Sequence, residues 1–219
     1  MKKRIPPLLC LSTAALVTFV MWTALVCFVD KKPIGPHNSS VGFASLNLFF
    51  HNRIDVNFGL YTLTDWLGLV PIGFMFAFAI LGLVQWIKRK KLRKVDTDIL
   101  LLGGFYVLLV AVYLFFESFT VNYRPTLING ILEASYPSST TMLTACVMPT
   151  ASILLNKRIK SKPIKHSATA IIALFTAFMI VGRLIAGVHW FSDIVGGALF
   201  SIGFVLLFKS MSGIVSKQK

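Results

Sequence analysis

The chain has 219 residues, 56% of them hydrophobic and only 14% charged, and its 22 Lys and Arg against 8 Asp and Glu leave a formal net charge of +14. Soluble domains are about a quarter charged, so this composition, with a mean hydropathy of +0.76, excludes an ordinary cytosolic domain, a disordered chain and a coiled coil. No nucleic-acid partner is implied, because the basic residues fall in gaps between apolar runs rather than among polar and aromatic groups on one surface.

A helix that crosses hydrocarbon needs about 20 mostly apolar residues. Six such spans are predicted, approximately 8–28, 64–87, 99–119, 139–155, 168–188 and 194–208, the last of them short. The runs are too long and too uniformly apolar for barrel strands, so the expected fold is all-α. It is a polytopic membrane protein forming a single domain over 1–219, with six transmembrane helices in a bundle and a short interfacial outer helix.

Orientation follows from the positive residues. The N-terminus (Lys2, Lys3, Arg4), the connection from Lys88 to Lys94, the connection from Lys157 to Lys165 and the tail (Lys209, Lys217, Lys219) together hold 17 of the 22. These four regions alternate with the spans. Both termini are therefore expected in the cytoplasm, and connections 29–63, 120–138 and 189–193 on the extracytoplasmic side of a cell membrane. Six of the eight acidic residues show the opposite bias.

The basic start followed by an apolar stretch also fits a signal peptide. Its apolar run is longer than a signal core, and Val26-Cys27-Phe28 offers no small-x-small cleavage site, so a retained first span is expected. Cys10, Cys27 and Cys146 all lie inside spans, as packing residues do.

The first outer connection opens with Lys31-Lys32-Pro33-Ile34-Gly35-Pro36, an irregular loop. Beyond it Val41, Phe43, Leu46, Phe49 and Phe50 recur at helical spacings, which fits either a helix in the membrane interface or one packed on the bundle top. Asn38-Ser39-Ser40 matches a glycosylation sequon, a weak signal.

More specific residues gather at one membrane level. The third span ends in Glu117, followed by Arg124-Pro125; Tyr136-Pro137-Ser138-Ser139-Thr140 opens the fourth; Arg183 ends the fifth, with His189 and Asp193 beyond it. An Arg at the edge of hydrocarbon is costly, and two guanidinium forks, Arg124 and Arg183, suit one phosphoryl group. His189 and Asp193 fall on one helical face if a helix runs through both, so the carboxylate can hold one ring nitrogen and free the other as a nucleophile. Ser138 and Ser139 open a helix whose positive end suits an anion. Taken singly, each has a plainer explanation: an N-cap, a local hydrogen bond, an arginine snorkelling to headgroups. Their conjunction describes a phosphate site with a histidine nucleophile.

Arg-Pro, then Pro-Ser, then Arg-x5-His-x3-Asp resembles the type 2 phosphatidic acid phosphatase and vanadium haloperoxidase superfamily, in its six-span membrane lipid phosphatase branch. The resemblance implies that His189 forms a phosphohistidine, Asp193 orients it, and Arg124, Arg183, Ser138 and Ser139 bind phosphate. It implies neither metal nor other cofactor, and no obligate protein partner is inferred. The substrate it implies is a lipid phosphate or diphosphate, phosphatidate-like or polyprenyl, drawn from among the membrane lipids. Gly182 stands where the family has Ser, Glu117 where it has Lys, and Thr140 where it has the histidine that protonates the leaving group. Glu117 and Thr140 are thus possible auxiliaries. Loss of a general acid costs about 10²–10⁴ in rate, least when the leaving group is already a weak base such as a phosphate. A preference for diphosphates is the expectation, with monoester or diphosphate hydrolysis as the reaction. The alternative is a catalytically impaired relative that binds or transports lipid phosphates; a structural membrane protein is a third.

Overall fold

The computed structural model describes residues 7–216, so Lys2, Lys3, Arg4, Lys217 and Lys219 of the charge argument lie outside the described residues. Among these residues there are eight α-helices: α1 (Pro7–Phe28), α2 (Ala44–His51), α3 (Phe58–Leu67), α4 (Leu69–Arg89), α5 (Thr97–Ser118), α6 (Ser139–Arg158), α7 (Lys162–Ile185) and α8 (Phe191–Ser216). Pairing among the connections is limited to isolated bridges, so the all-α expectation holds.

Five helical stretches, 7–28, 58–89, 97–118, 162–185 and 191–214, have the length and hydropathy to cross a membrane. The helix predicted over 139–155 forms as α6 but is not among them. Its Thr140, Thr141, Thr144, Thr150 and Ser152 are buried against protein, because α4, α5, α7 and α8 all pack on it. A helix surrounded by other helices need not be apolar.

The predicted second span, 64–87, begins inside α3, which α4 continues after an interruption at Gly68, whose amide bonds to the Thr64 and Asp65 carbonyls. Pro71 sits in the first turn of α4, where its missing N–H costs nothing. α7 begins six residues before the predicted start, and α8 runs from Phe191 to Ser216 rather than 194–208. Polar residues at these ends, Lys162 to Ser167 and Ser192 to Asp193, mask helix in a hydropathy reading.

α1 and α8 form the most extensive helix pair, and the main core lies where they meet α5 and α6, around Phe19, Leu102, Phe105, Met142, Phe204 and Phe208. The outer helix α2 is a docked element. Asn47 is buried, donates to the Gly42 carbonyl (2.8 Å) and Ser192 Oγ (2.9 Å), and accepts from the Ser192 amide (3.0 Å). Phe50 stacks on Phe191 with ring centroids 4.0 Å apart, while Phe49 stays exposed. The loop before α2 crosses the end of α1 so closely that a Cβ on Gly42 would stand 1.6 Å from the Val26 carbonyl oxygen.

At the basic end of the bundle, Asp96 pairs with Arg89 (2.9 Å) and Arg158 (3.3 Å), and Asp98 with Lys157 (3.1 Å), tying α4, α5 and α6 together. The guanidinium of Arg89 and the amide of Gln85, both bonded to its carboxylate, hold the Asp96 carboxyl below its usual range.

Gly42→Ala forces apart the α1 end and the α2 loop. It should destabilise the protein by roughly 1–3 kcal/mol, as overpacking does, whereas Gly73→Ala, whose added Cβ meets nothing within 4 Å, should leave the detergent melting temperature unchanged or slightly raised.

Candidate active site

Five segments converge at the opposite end of the bundle: α3, the 119–138 connection, the N-terminus of α6, the last turn of α7, and the 186–190 turn leading into α8. The turn is set by Gly187 at φ 68, a left-handed position that glycine occupies without the Cβ penalty. It lets the chain reverse after α7 and carries His189 back toward Arg183.

The connection 119–138 folds as an irregular hairpin. Asn129 and Gly130 both have positive φ at its tip, the pattern of a type I′ turn. Tyr123 bridges Ala134, the Arg124 amide bonds to the Glu133 carbonyl (3.1 Å), and the Ser135 amide to the Asn122 carbonyl (2.9 Å). The hairpin thereby brings Asn122, Arg124, Glu133 and Ser135 to one place.

His189 lies at the centre, buried, with both ring nitrogens engaged. Its Nε2 accepts from Arg124 Nη1 (3.0 Å) and Arg183 Nη2 (3.2 Å). A guanidinium only donates, so Nε2 presents its lone pair to the two arginines and the ring proton is assigned to Nδ1. Nδ1 donates to Ser135 Oγ (3.2 Å), and the Ser135 hydroxyl donates in turn to Asp193 Oδ2.

This differs from the expected direct pair. His189 precedes α8 rather than lying on it, and Nδ1 is 3.9 Å from Asp193 Oδ2, too long for a hydrogen bond. Ser135 fills the gap. Asp193 is fully engaged: Oδ2 also accepts from the Trp190 amide (2.9 Å), and Oδ1 from Asn122 Nδ2 (3.3 Å) and Ser192 Oγ (3.4 Å). Through Ser192 this network reaches Asn47 of α2.

The two arginines are buried and braced by α3. Arg183, with no exposed surface, lies 4.9 Å over the Tyr61 ring, donates to Thr64 Oγ1 (3.4 Å) and stands 3.8 Å from Asp65 Oδ1. Arg124 stands 5.9 Å over the same ring, 3.0 Å from Glu133 Oε2, and donates to the Val188 carbonyl (3.4 Å). The carboxylates on the arginines are therefore Glu133 and Asp65. Glu117 lines a separate cavity of about 20 Å³, with Ser135, Ser139 and His189 also in its wall. Thr140 lines not that cavity but an adjoining apolar groove beside α4.

Among the described residues, Arg183 Nε, Ser138 Oγ and Thr141 Oγ1 are buried here without a hydrogen-bond partner, and Arg124 Nε has only its ion pair with Glu133. The amides of Ser139 to Thr141 precede the first helical bond of α6, from the Met142 amide to the Ser138 carbonyl, and so are unused within the helix. Unused donors on Arg183 and at the start of α6, whose Ser139 shares a cavity wall with His189, suit an anion with several oxygens.

Ser135, Tyr61, Thr64, Asp65, Asn122 and Glu133 were not singled out from sequence. Asn129-Gly130 is the signal that would have revealed the hairpin, and Asp65 in an apolar span is one that would have pointed to Arg183.

The PAP2 superfamily model matches residues 72–215, about two thirds of the chain. The chain belongs to the PAP2 superfamily. It is thus a multi-pass membrane protein of a phosphatase family. The first transmembrane PAP2 type phosphatidylglycerolphosphate phosphatase from Bacillus subtilis is similar in structure, with a TM-score of 0.56 and 20% identity over 95% of this chain and 97% of that one, a likeness of fold. No curated protein matches the chain in sequence. The PAP2 match takes in Arg124, Ser138, Ser139, Arg183, His189 and Asp193, and leaves out α1, α2 and α3 with Asn47 and Tyr61.

Burial first, and then the charges of Arg124 and Arg183, hold the His189 imidazole well below its usual pKa. An ordinary histidine is half protonated near pH 6.5; His189 should remain neutral there and gain its proton only at lower pH. Histidine NMR of the purified protein should show this, and Arg124→Ala should shift the titration upward, toward 6.5.

Proposed function

We propose that the protein is a membrane lipid phosphatase that hydrolyses a lipid phosphate or diphosphate at the extracytoplasmic face through a phosphohistidine intermediate. The observation that carries this reading is His189, neutral and buried, with its Nε2 lone pair between two buried guanidiniums and its Nδ1–H anchored on the far side.

In the proposed reaction the phosphoryl group enters between Arg124 and Arg183. Their N–H donors turn from Nε2 to its oxygens, joined by the α6 N-terminal amides and Ser138 Oγ. The Nε2 lone pair attacks phosphorus, a P–N bond forms, and the P–O bond to the leaving group breaks. The ring becomes cationic with its proton still on Nδ1. Ser135 and Asp193 stabilise that cation as a relay, Ser135 doing what a carboxylate does in a direct pair. Water then attacks phosphorus and the P–N bond breaks. Glu117, which lines the cavity beside His189, is proposed to accept the water's proton.

With Thr140 on the groove side, no histidine protonates a departing alkoxide, which supports a diphosphate substrate whose leaving phosphate needs no proton. The extracytoplasmic assignment is supported by the crowding of 17 of 22 basic residues into the terminal segments and the connections at the other end of the bundle.

Purified protein in detergent should release phosphate from lipid diphosphates, and His189→Ala should release none. Ser135→Ala should lower kcat about 10- to 100-fold with little change in KM, as loss of a partner that orients a histidine does. A diphosphate should be turned over at least about tenfold faster than its monophosphate; equal turnover would remove the diphosphate preference, and lipid binding without release would favour a recognition protein.

A further inference from the structure

We propose that Tyr61 is a positioning residue for the reaction: its ring holds both buried guanidiniums by cation–π attraction and so keeps their N–H donors free for the phosphoryl oxygens. The proposal rests on the phosphatase reading above for the identity of the anion, and adds the group that keeps the site open to it.

A buried cation must be compensated, and the usual partner, a carboxylate, takes up the N–H donors that a phosphoryl group would need. The donors of Arg183 are barely taken up. Its Nη1 has Thr64 Oγ1 at 3.4 Å and Asp65 Oδ1 at 3.8 Å, its Nε has no partner, and its shorter contact runs from Nη2 to His189 Nε2 (3.2 Å). Yet the residue has no exposed surface. The compensation that remains is the Tyr61 ring, whose centroid is 4.9 Å from the Arg183 guanidinium carbon. Arg124, with Glu133 Oε2 3.0 Å from its Nε, has the same ring at 5.9 Å. Both distances lie within the reach of a cation–π contact, about 6 Å, and such a contact attracts the cation as a whole without requiring a lone pair for each N–H.

A second set of contacts holds the ring in place. The Asn57 amide, at the start of α3, bonds to the Ala186 carbonyl (3.1 Å) in the turn before His189, and Leu60 and Tyr61 pack there on Ile128, Ala186 and Val188. The approach is close. A Cβ on Gly182 would stand 3.0 Å from Thr64 Cγ2, so glycine at the position before Arg183 gives α3 its seat. Tyr61 meets both arginines through its ring, and an aliphatic side chain of similar bulk could fill the same space without attracting them. Without the ring, the Arg183 donors should turn to Asp65, which is largely exposed, and a phosphoryl group would then have to displace that carboxylate.

The probe is inorganic phosphate, its affinity measured by calorimetry on the full chain in detergent, with KM for a lipid diphosphate measured beside it. Tyr61→Phe keeps the ring and should match wild type within about twofold. Tyr61→Leu should weaken phosphate binding about 10- to 30-fold and raise KM by a similar factor, with a smaller effect on kcat. Phenylalanines carrying one, two and three ring fluorines at position 61 change size little but weaken the negative face of the ring, so phosphate affinity should fall stepwise along the series. A purely structural role would leave that series flat. If Tyr61→Leu fails to fold, the fluorine series alone decides. Equal affinity in Tyr61→Leu and Tyr61→Phe, a flat series, or no phosphate binding by wild type would overturn the assignment. A graded series in a protein that releases no phosphate from any lipid substrate would uphold Tyr61 and remove the phosphatase reading.

Discussion

Two guanidinium groups buried side by side at the edge of the membrane are the constraint around which the rest is arranged. Burying one cation costs several kcal/mol unless it is paired, and two close together repel one another. Here the Tyr61 ring lies against both, Glu133 and Asp65 stand beside Arg124 and Arg183 respectively, and His189 accepts from each. The carboxylates offset the charge without closing the site, since Asp65 is 3.8 Å away and largely exposed. A phosphoryl group carries the charge and the oxygens to replace these partners. Burial, together with the same positive field, keeps His189 neutral, so electrostatics that would hold an anion also preserve a lone pair on Nε2.

The second theme is support from a distance. Asp193 has four donors, so it is a fixed point rather than a free carboxylate. Asn122 ties that point to the Gly42 amide (3.0 Å), and Ser192 ties it to Asn47, which locks α2 and the tight Gly42 crossing to the start of α8. The position of His189 is thus tied to a helix that does not touch it.

Hydropathy made five of the helices legible, because their lipid-facing residues must be apolar whatever the site does. It also found α6, although that helix owes its position to burial by its neighbours. Arg124, Ser138, Ser139, Arg183, His189 and Asp193 were legible through their order and spacing, and the structure brings them to one end of the bundle. Ser135 was not, since a serine two residues before a proline carries no signal until the Asn129-Gly130 turn folds the connection back. Tyr61 and Thr64 were hidden because one lies in the approach to the predicted span and the other is its first residue, where neither carries a signal of its own. Their function comes from facing α7, a relation between segments more than 100 residues apart that no local pattern encodes.

The threonine-rich character of α6 has a consequence for how the protein is made. A segment with so many hydroxyls gains little by leaving the translocon alone, whereas α5 before it and α7 after it partition readily into lipid. α6 is therefore stable in the bilayer only once neighbours cover it, as a late guest in a partly built bundle. Its N-terminus contributes the unused amides beside His189, so the proposed phosphate site takes shape only once α6 is in place.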